Sequence, residues 1–445
     1  MASVKILLWK HYEKKDGTCP LVLRITKDRK PRYVFTGTYI LEKDWDSVHS
    51  KIKKSHPNSK RLNNFLLKKL TEADDTALEA MSHNDNVSAK HIQKKVQRKG
   101  KNISFFQVGS KRVKDKYDTG TFSVARSELS ILYNIKEFTN LNEAGSRQSI
   151  IDGIKERRQL RHKKGMDPKM GIMDGIKEFA NNGSLAFTDI DMAFINRFKS
   201  FCETYLKHKE RTVTNQLIFI RTIYNIAIEE GIVNDKYYPF AGDKEKIRIT
   251  ESLKIGLNKE EVQRIEALAL EEGSSVWHTR NVWLFSYYFA GVRISDVLEM
   301  KWSDFIDDRL FYVMNKNQKS QSLKIPEKAR AILAFYKKDQ KNKRDYIFPF
   351  LKHANPNNPE DVFIKARNAT SLFNKYLKRI AESCNIDKKI SNHIARHTFG
   401  NIAGDTIHPL MLQKLYRHTD LKTTIGYQAN FIHKDADDAL DAVIN

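Results

Sequence analysis

Cysteine is scarce: three residues in 445, Cys19, Cys202 and Cys384, far apart and without a CxxC pair. That scarcity excludes a disulfide framework and a zinc knuckle, and it fits a reducing cytosol. Long apolar runs are lacking too. The longest apolar-rich stretch, Val282 to Val292, falls well short of the ~20 residues needed to cross a bilayer, and reads as a buried helix. The first fifteen residues have neither the apolar core nor the small-residue cleavage site of a signal peptide, so no secretion is implied. Acidic residues form the last deficit, 54 Asp and Glu against 78 Lys and Arg, for a formal net charge of +24. The natural partner of such a chain is a polyanion, although charge alone does not separate DNA from RNA or from an anionic membrane surface.

What is present suffices for folded cores. Hydrophobic residues make up 40% and aromatic residues 10% of the chain, which argues against wholesale disorder. The length exceeds what one core supports, and three domains are expected, at 1–100, 103–240 and 257–445. The fold class is mainly α with small β sheets.

The first forty residues alternate β-branched and aromatic side chains in three runs, Val4–Leu8, Leu21–Ile25 and Arg32–Thr36, which predicts a three-stranded antiparallel sheet. Between the last two runs lies a turn bearing Lys27, Arg29 and Lys30, followed by Arg32, a basic tip that can enter a duplex groove. From Lys51 to Arg98 the pattern turns helical and ends in a basic run, which suits a solvated face as well as DNA. Further helices are expected at Val124–Phe138, Ile190–Tyr205 and Thr212–Glu229, the last opening beside Arg211, a candidate DNA contact. The segment Ala241–Ile255 reads as a linker. After it, Asn258 and Glu261 form a capping box that starts a new domain. This domain holds an apolar helix near 281–290, strands Leu310–Met314 and Ser322–Ile325, and several helices.

Four pieces of that third region carry the chemistry: Arg293 within Gly291-Val292-Arg293-Ile294-Ser295-Asp296, Lys316 between two strands, His393-Ile394-Ala395-Arg396-His397-Thr398, and Arg417-His418 with Tyr427 nine residues beyond the histidine. Guanidinium forks suit a phosphodiester, whose transition state concentrates charge on the non-bridging oxygens. A tyrosine hydroxyl needs a positive pocket or a base to attack at neutral pH. A lysine on a hairpin can protonate the departing oxygen. His393 and Arg396, three apart, are expected on one helix face, reaching one phosphate.

In this order and spacing the residues resemble the tyrosine recombinase, or phage-type integrase, family, in its three-domain form similar to integrases of Bacteroides-type mobile elements. The resemblance implies a β-rich arm-site-binding domain, a helical SAM-like core-binding domain and a mixed α/β catalytic domain. It implies a site-specific recombinase that integrates or excises a mobile element by cutting and rejoining DNA through a 3′-phosphotyrosine. Tyr427 would be the nucleophile, Arg293 and Arg396 the phosphate ligands, and Lys316 the general acid, with Lys319 of the same hairpin as the alternative. His393 would assist proton transfer at the tyrosine and His418 would donate to a phosphate oxygen. No cofactor, metal or ATP is implied. The implied partners are double-stranded attachment-site DNA, three further copies of the chain in a homotetramer, a host DNA-bending protein and an excisionase, all at the nucleoid in the cytoplasm and none at a membrane.

Where the family often shows Leu-Gly before the last histidine, this chain has Tyr416-Arg417. His393 and His397 also have the spacing of a zinc helix, but the glutamate of HExxH is missing and an arginine aimed at the same place would repel a metal. Asp296 and Asp304 read instead as orienters of Arg293 and the fold. The stretch Asp437–Ile444 is an amphipathic segment that either docks on a neighbouring protomer or packs on its own domain. Two other functions fit less of the pattern: a type IB topoisomerase, and a catalytically silent DNA-binding regulator.

Overall fold

The computed structural model describes the chain apart from residues 1, 84–86, 100–102, 142–144, 166–170, 241–254, 315–319, 405, 426, 428–442, 444 and 445. It divides into two compact units, residues 1–250 and 251–445.

The first unit opens with an antiparallel sheet of β1 (Ser3–Leu8), β2 (Thr18–Lys27) and β3 (Lys30–Leu41) in that order. The strands run further than the alternation suggests because Lys27 pairs directly with Lys30, leaving only Asp28 and Arg29 to turn. Both turn residues have positive φ, 52° and 59°, the pair of left-handed conformations that matches the twist of a two-residue hairpin. Arg29, Lys30 and Arg32 are exposed at this tip, whereas Lys27 is buried at 7% exposure.

The inner face of the sheet, including Ile6, Leu21, Leu23, Ile25 and Val34, packs on two helices, α1 (Ser59–His83) and α2 (Ala89–Lys99). A single helical run from Lys51 is not what forms. Lys51–Ile52 is instead a short strand, β5, paired with β4 (Trp45–Asp46). The Asn63 side chain fixes it by accepting from the Ile52 N–H at 2.8 Å and donating to the Ile52 carbonyl at 2.9 Å. The helix therefore starts at Ser59 and gives way after His83, so that α2 folds back onto the sheet, where Gln93 Nε2 donates to the Tyr33 carbonyl at 2.7 Å.

A second core in the same unit is built by α3 (Phe105–Asp118), α4 (Phe122–Thr139), α5 (Arg147–Gly165), α6 (Ile172–Ala180), α7 (Met192–Thr204) and α8 (Glu210–Glu229). Buried Phe105, Phe106, Phe179, Phe198 and Tyr224 fill it. Three arginines of α5 serve the fold: Arg157 and Arg161 clasp Glu137 of α4 at 2.7 and 2.8 Å, and Arg158 donates to Asn134 at 2.8 Å. From Asn134 the network continues through Gln216 to His208. Arg211 stands exposed in the first turn of α8.

The second unit comprises α9 (Lys259–Ala267), α10 (Ser275–Tyr288), α11 (Ile294–Glu299), a sheet of β6 (Phe305–Ile306), β7 (Arg309–Val313) and β8 (Ser320–Lys324), then α12 (Glu327–Lys337), α13 (Pro359–Ser383), α14 (Ile394–Ala403), α15 (Pro409–Tyr416) and α16 (Leu421–Ile425). The capping box that opens α9 is formed, with reciprocal Asn258 and Glu261 bonds of 2.7 and 2.8 Å. Helix α10 begins earlier than the apolar run, where Ser274 caps it by accepting from the Trp277 N–H. Its residues Val282, Trp283, Leu284 and Phe285 are buried as α12, α13 and α14 surround it. Just ahead of α9, Leu257 straps α14 by donating to the Thr398 hydroxyl and accepting from the Asn401 amide. Among the described residues no helix is long and apolar enough to cross a membrane.

Candidate active site

The site grows from the end of α10, where Ala290 and Gly291 take positive φ of 57° and 68° and turn the chain sharply. A Cβ on residue 291 would lie 2.4 Å from the Cα of Arg396, so the turn needs glycine for space as well as for conformation. The turn delivers Arg293 to the N-cap of α11, half-buried, with Nη1 against the sulfur of Met314, the residue after β7.

Arg396, on α14, is 3% exposed. Its Nη1 donates to the Gly291 carbonyl at 3.1 Å and its Nη2 to the Tyr416 carbonyl at 2.8 Å. Nη2 also lies 3.3 Å from His418 Nε2, and the guanidinium carbon sits 3.8 Å from the centroid of the Tyr416 ring. The Tyr416 hydroxyl in turn donates to the Arg396 carbonyl. These partners are all neutral. Burial lowers the pKa of Arg396, with nearby Arg293 acting in the same sense and Tyr416 and Tyr427 opposing. A buried cation held only by neutral groups among the described residues is costly until an anion joins it.

His418 follows directly on α15, after Arg417 has reversed the chain in a left-handed conformation, φ 55° and ψ 35°. Its Nδ1 lies 3.0 Å from the Thr424 hydroxyl. Because a guanidinium only donates, the contact with Arg396 makes Nε2 the acceptor, which leaves the proton on Nδ1 facing the Thr424 oxygen.

Tyr427 is half-buried and hydrogen-bonds to the Arg396 side chain, its ring centroid 6.0 Å from the guanidinium carbon. The ring lies flat on His397, 4.9 Å between centroids and 19° between planes, and close to His418 at 5.4 Å. Gly400 makes room, since a Cβ there would come within 2.9 Å of the Tyr427 Cβ.

Arg293, Arg396, His418 and Tyr427 are thus gathered in one unit. His393 stands differently from the expectation of a shared helix face. It occupies the N-cap of α14, exposed, and its ring meets that of His397 edge-on at 5.5 Å, so His397 is the imidazole in contact with the tyrosine. Lys316 and Lys319 fall outside the described residues, as does Asp437–Ile444 apart from Val443. Asp304 serves the fold by accepting from the Lys301 N–H at 2.8 Å. Asp296 is buried, and its charge bears on Arg417. Among the described residues no three His, Cys, Asp or Glu side chains gather as a metal site.

Family models match the chain in three consecutive stretches: an arm DNA-binding domain at residues 6–93, a phage integrase SAM-like domain at 148–247, and the phage integrase family itself at 256–433, which contains the whole constellation. The chain belongs to the phage integrase family. This integrase is a tyrosine site-specific recombinase, a DNA strand transferase. A comparison with curated proteins finds no match.

Solved structures similar to the integrase include the XerH recombinase bound to a palindromic difH substrate, 15% identical with a TM-score of 0.49 over 78% of this chain and 98% of that one. A lambda integrase dimer bound to a core site is 16% identical with a TM-score of 0.43, over 62% of this chain and 93% of its own. The Tn1549 transposon integrase in complex with a circular intermediate DNA is 14% identical with a TM-score of 0.41, over 61% and 92%.

Three site residues were not evident beforehand. The sequence marks His397 only by its zinc-like spacing, Tyr416 only as a departure from the family's Leu-Gly, and Thr424 by no motif, because stacking and second-partner hydrogen bonds depend on how α14, α15 and α16 meet. For Thr424 the available signal was its position six residues after His418, close enough to fold back on it.

Proposed function

We propose that Tyr427 is the nucleophile of this integrase and that Arg293 and Arg396 hold the phosphate it attacks. The phenol oxygen bonds to phosphorus as the bond to the 5′ oxygen breaks, giving a 3′-phosphotyrosine and a free 5′-hydroxyl. Lys316, or Lys319 of the same hairpin, gives the leaving oxygen its proton. The 5′-hydroxyl of a partner duplex then attacks the phosphotyrosine, releases the phenol and restores a phosphodiester, so the bond energy is conserved and ATP has no part. His418 hydrogen-bonds a phosphate oxygen through Nε2, which requires its ring to take a second proton or Thr424 to become the donor. His393 assists proton transfer from the tyrosine across His397.

The observation that carries this reading is the buried Arg396 guanidinium, with only neutral partners among the described residues, hydrogen-bonded to a half-exposed tyrosine. The geometry suits a phosphate bridging the two, since preorganised donors act most strongly where water is excluded.

In the wider reading the chain has three domains, 1–100, 103–240 and 257–445, which bind arm-type sites, bind the core site and cut. The exposed hairpin tip, Arg29, Lys30 and Arg32, enters the arm site, Lys27 supports it from the strand end, and Arg211 contacts the core site. Two duplexes each cut twice require four protomers. The reaction integrates or excises a mobile element at attachment sites in the cytoplasm, with a DNA-bending protein and an excisionase as accessory partners.

The test is strand exchange between two duplexes taken from the DNA flanking the gene. Recombined product supports the reading. Relaxation of a supercoil without exchange would favour a type IB topoisomerase, and binding without any covalent adduct would favour a silent regulator.

A further inference from the structure

Tyr416, the last residue of α15, is fully buried, and its ring meets three groups of the site at once. The guanidinium carbon of Arg396 lies 3.8 Å from the ring centroid. The Tyr427 ring meets it edge to face at 5.1 Å and 81°, and the His418 ring does the same at 5.3 Å and 79°.

The hydroxyl makes a second connection to the same arginine. It donates to the Arg396 carbonyl and accepts from the Gly400 N–H, one turn further along α14. Residue 400 must be small for this, since a Cβ there would lie 3.0 Å from the hydroxyl. One tyrosine therefore holds Arg396 by its main chain through the hydroxyl and by its guanidinium through the ring.

The ring supplies what the hydrogen bonds of Arg396 lack. Nη1 donates to the Gly291 carbonyl and Nη2 to the Tyr416 carbonyl, and a flat group held at two terminal nitrogens can still tilt about the line between them. An aromatic face against the guanidinium opposes that tilt, most strongly where water is excluded, as it is at this 3% exposed residue. Leucine, which the family often has at this place, would keep the carbonyl but lose both ring and hydroxyl.

We propose that Tyr416 is a positioning residue that fixes the plane and depth of the Arg396 guanidinium, so that one group meets both the phosphate and the Tyr427 hydroxyl. This rests on the reading of Arg396 as a phosphate ligand.

The test is single-turnover cleavage of a suicide duplex with either the ordinary phosphate or a methylphosphonate at the scissile position. A methylphosphonate lacks the negative charge that a guanidinium offsets. A defect that acts through Arg396 therefore shrinks on it, whereas a general loss of folded protein or of tyrosine alignment does not. Tyr416→Leu is expected to bind DNA as the parent does, to cleave the phosphate slower on the order of 10²-fold, and to recover most of that loss on the methylphosphonate. Tyr416→Phe, which keeps the ring and loses only the hydroxyl, is expected to lose less and to recover likewise. Parental rates on the phosphate, or equal losses on the two substrates, would overturn the proposal. If Tyr416→Leu does not fold, Tyr416→Phe decides by the same two criteria. Arg396→Ala measured in parallel separates the two claims. If its own loss persists on the methylphosphonate, the phosphate assignment of Arg396 fails. A double variant of Arg396→Ala and Tyr416→Phe that is no slower than Arg396→Ala alone shows that the tyrosine acts through the arginine, and additive losses show that it does not.

Discussion

The imidazole of His397 lies nearly parallel to the phenol ring of Tyr427, with 4.9 Å between centroids. This stack fixes the plane of the tyrosine while leaving its hydroxyl directed at Arg396. His397→Ala should slow cleavage by roughly tenfold or more, because a loosened nucleophile loses near-attack geometry, with DNA affinity unchanged. His397→Phe separates two roles: recovery would show that the face of the ring suffices, and persistent loss that the imidazole nitrogens take part. Parental rates in His397→Ala would contradict both.

Gly291 lies so close to Arg396 that a side chain at residue 291 has no room. Gly291→Ala places a methyl 2.4 Å from the Arg396 Cα at a φ of 68°, so α14 must shift or the turn must strain. A cost of about 1–3 kcal/mol is expected from the backbone strain alone, read as a lower thermal midpoint, together with loss of covalent adduct. A variant that melts and cleaves like the parent would show that the approach is unimportant.

Much of the site was legible because its spacings are local. Nine residues from His418 to Tyr427 are few enough that the turn after α15 and the short α16 bring the two rings within 5.4 Å of one another, whereas the three from His393 to Arg396 leave His393 at the exposed N-cap of α14, against His397. The strands at the N-terminus and the capping box at Asn258 were legible for the same reason. What escaped depends on distant segments. Lys51–Ile52 is a strand through its pairing with Trp45–Asp46, and Asn63 of the next helix holds its backbone. The burial of Lys27 follows from where the hairpin turns, and that of the Arg417 side chain from its place over the ring of Tyr312, on a strand far earlier in the chain.

The hairpin tip gives a salt prediction. If Arg29, Lys30 and Arg32 contact phosphates, each alanine variant should reduce the slope of log affinity against log salt by about one. Lys27→Ala, at a buried position, should leave the slope intact and lower stability. Equal slopes in all four variants would remove the tip from the DNA interface.

Acid should weaken the first unit through His208. Burial, and then Arg158, lowers its pKa below the ordinary value, so the unfolded chain binds a proton more readily than the folded one. Its contribution to stability is complete above the unfolded pKa of about 6.5 and is lost as pH falls through and below it. The thermal midpoint should drop between about pH 7 and 5, and less steeply in His208→Asn, which keeps a partner for Gln216 without titrating. An identical slope in the variant would exclude His208 as a source.

A suicide duplex incubated with the parent and with Tyr427→Phe tests the central claim most directly, because phenylalanine keeps the ring stacked on His397 and removes only the hydroxyl. The parent should form a covalent protein–DNA adduct whose modified peptide contains residue 427, and the variant should bind the duplex equally well and form none. An adduct that survives in Tyr427→Phe, or that maps to another residue of the parent, would contradict the account.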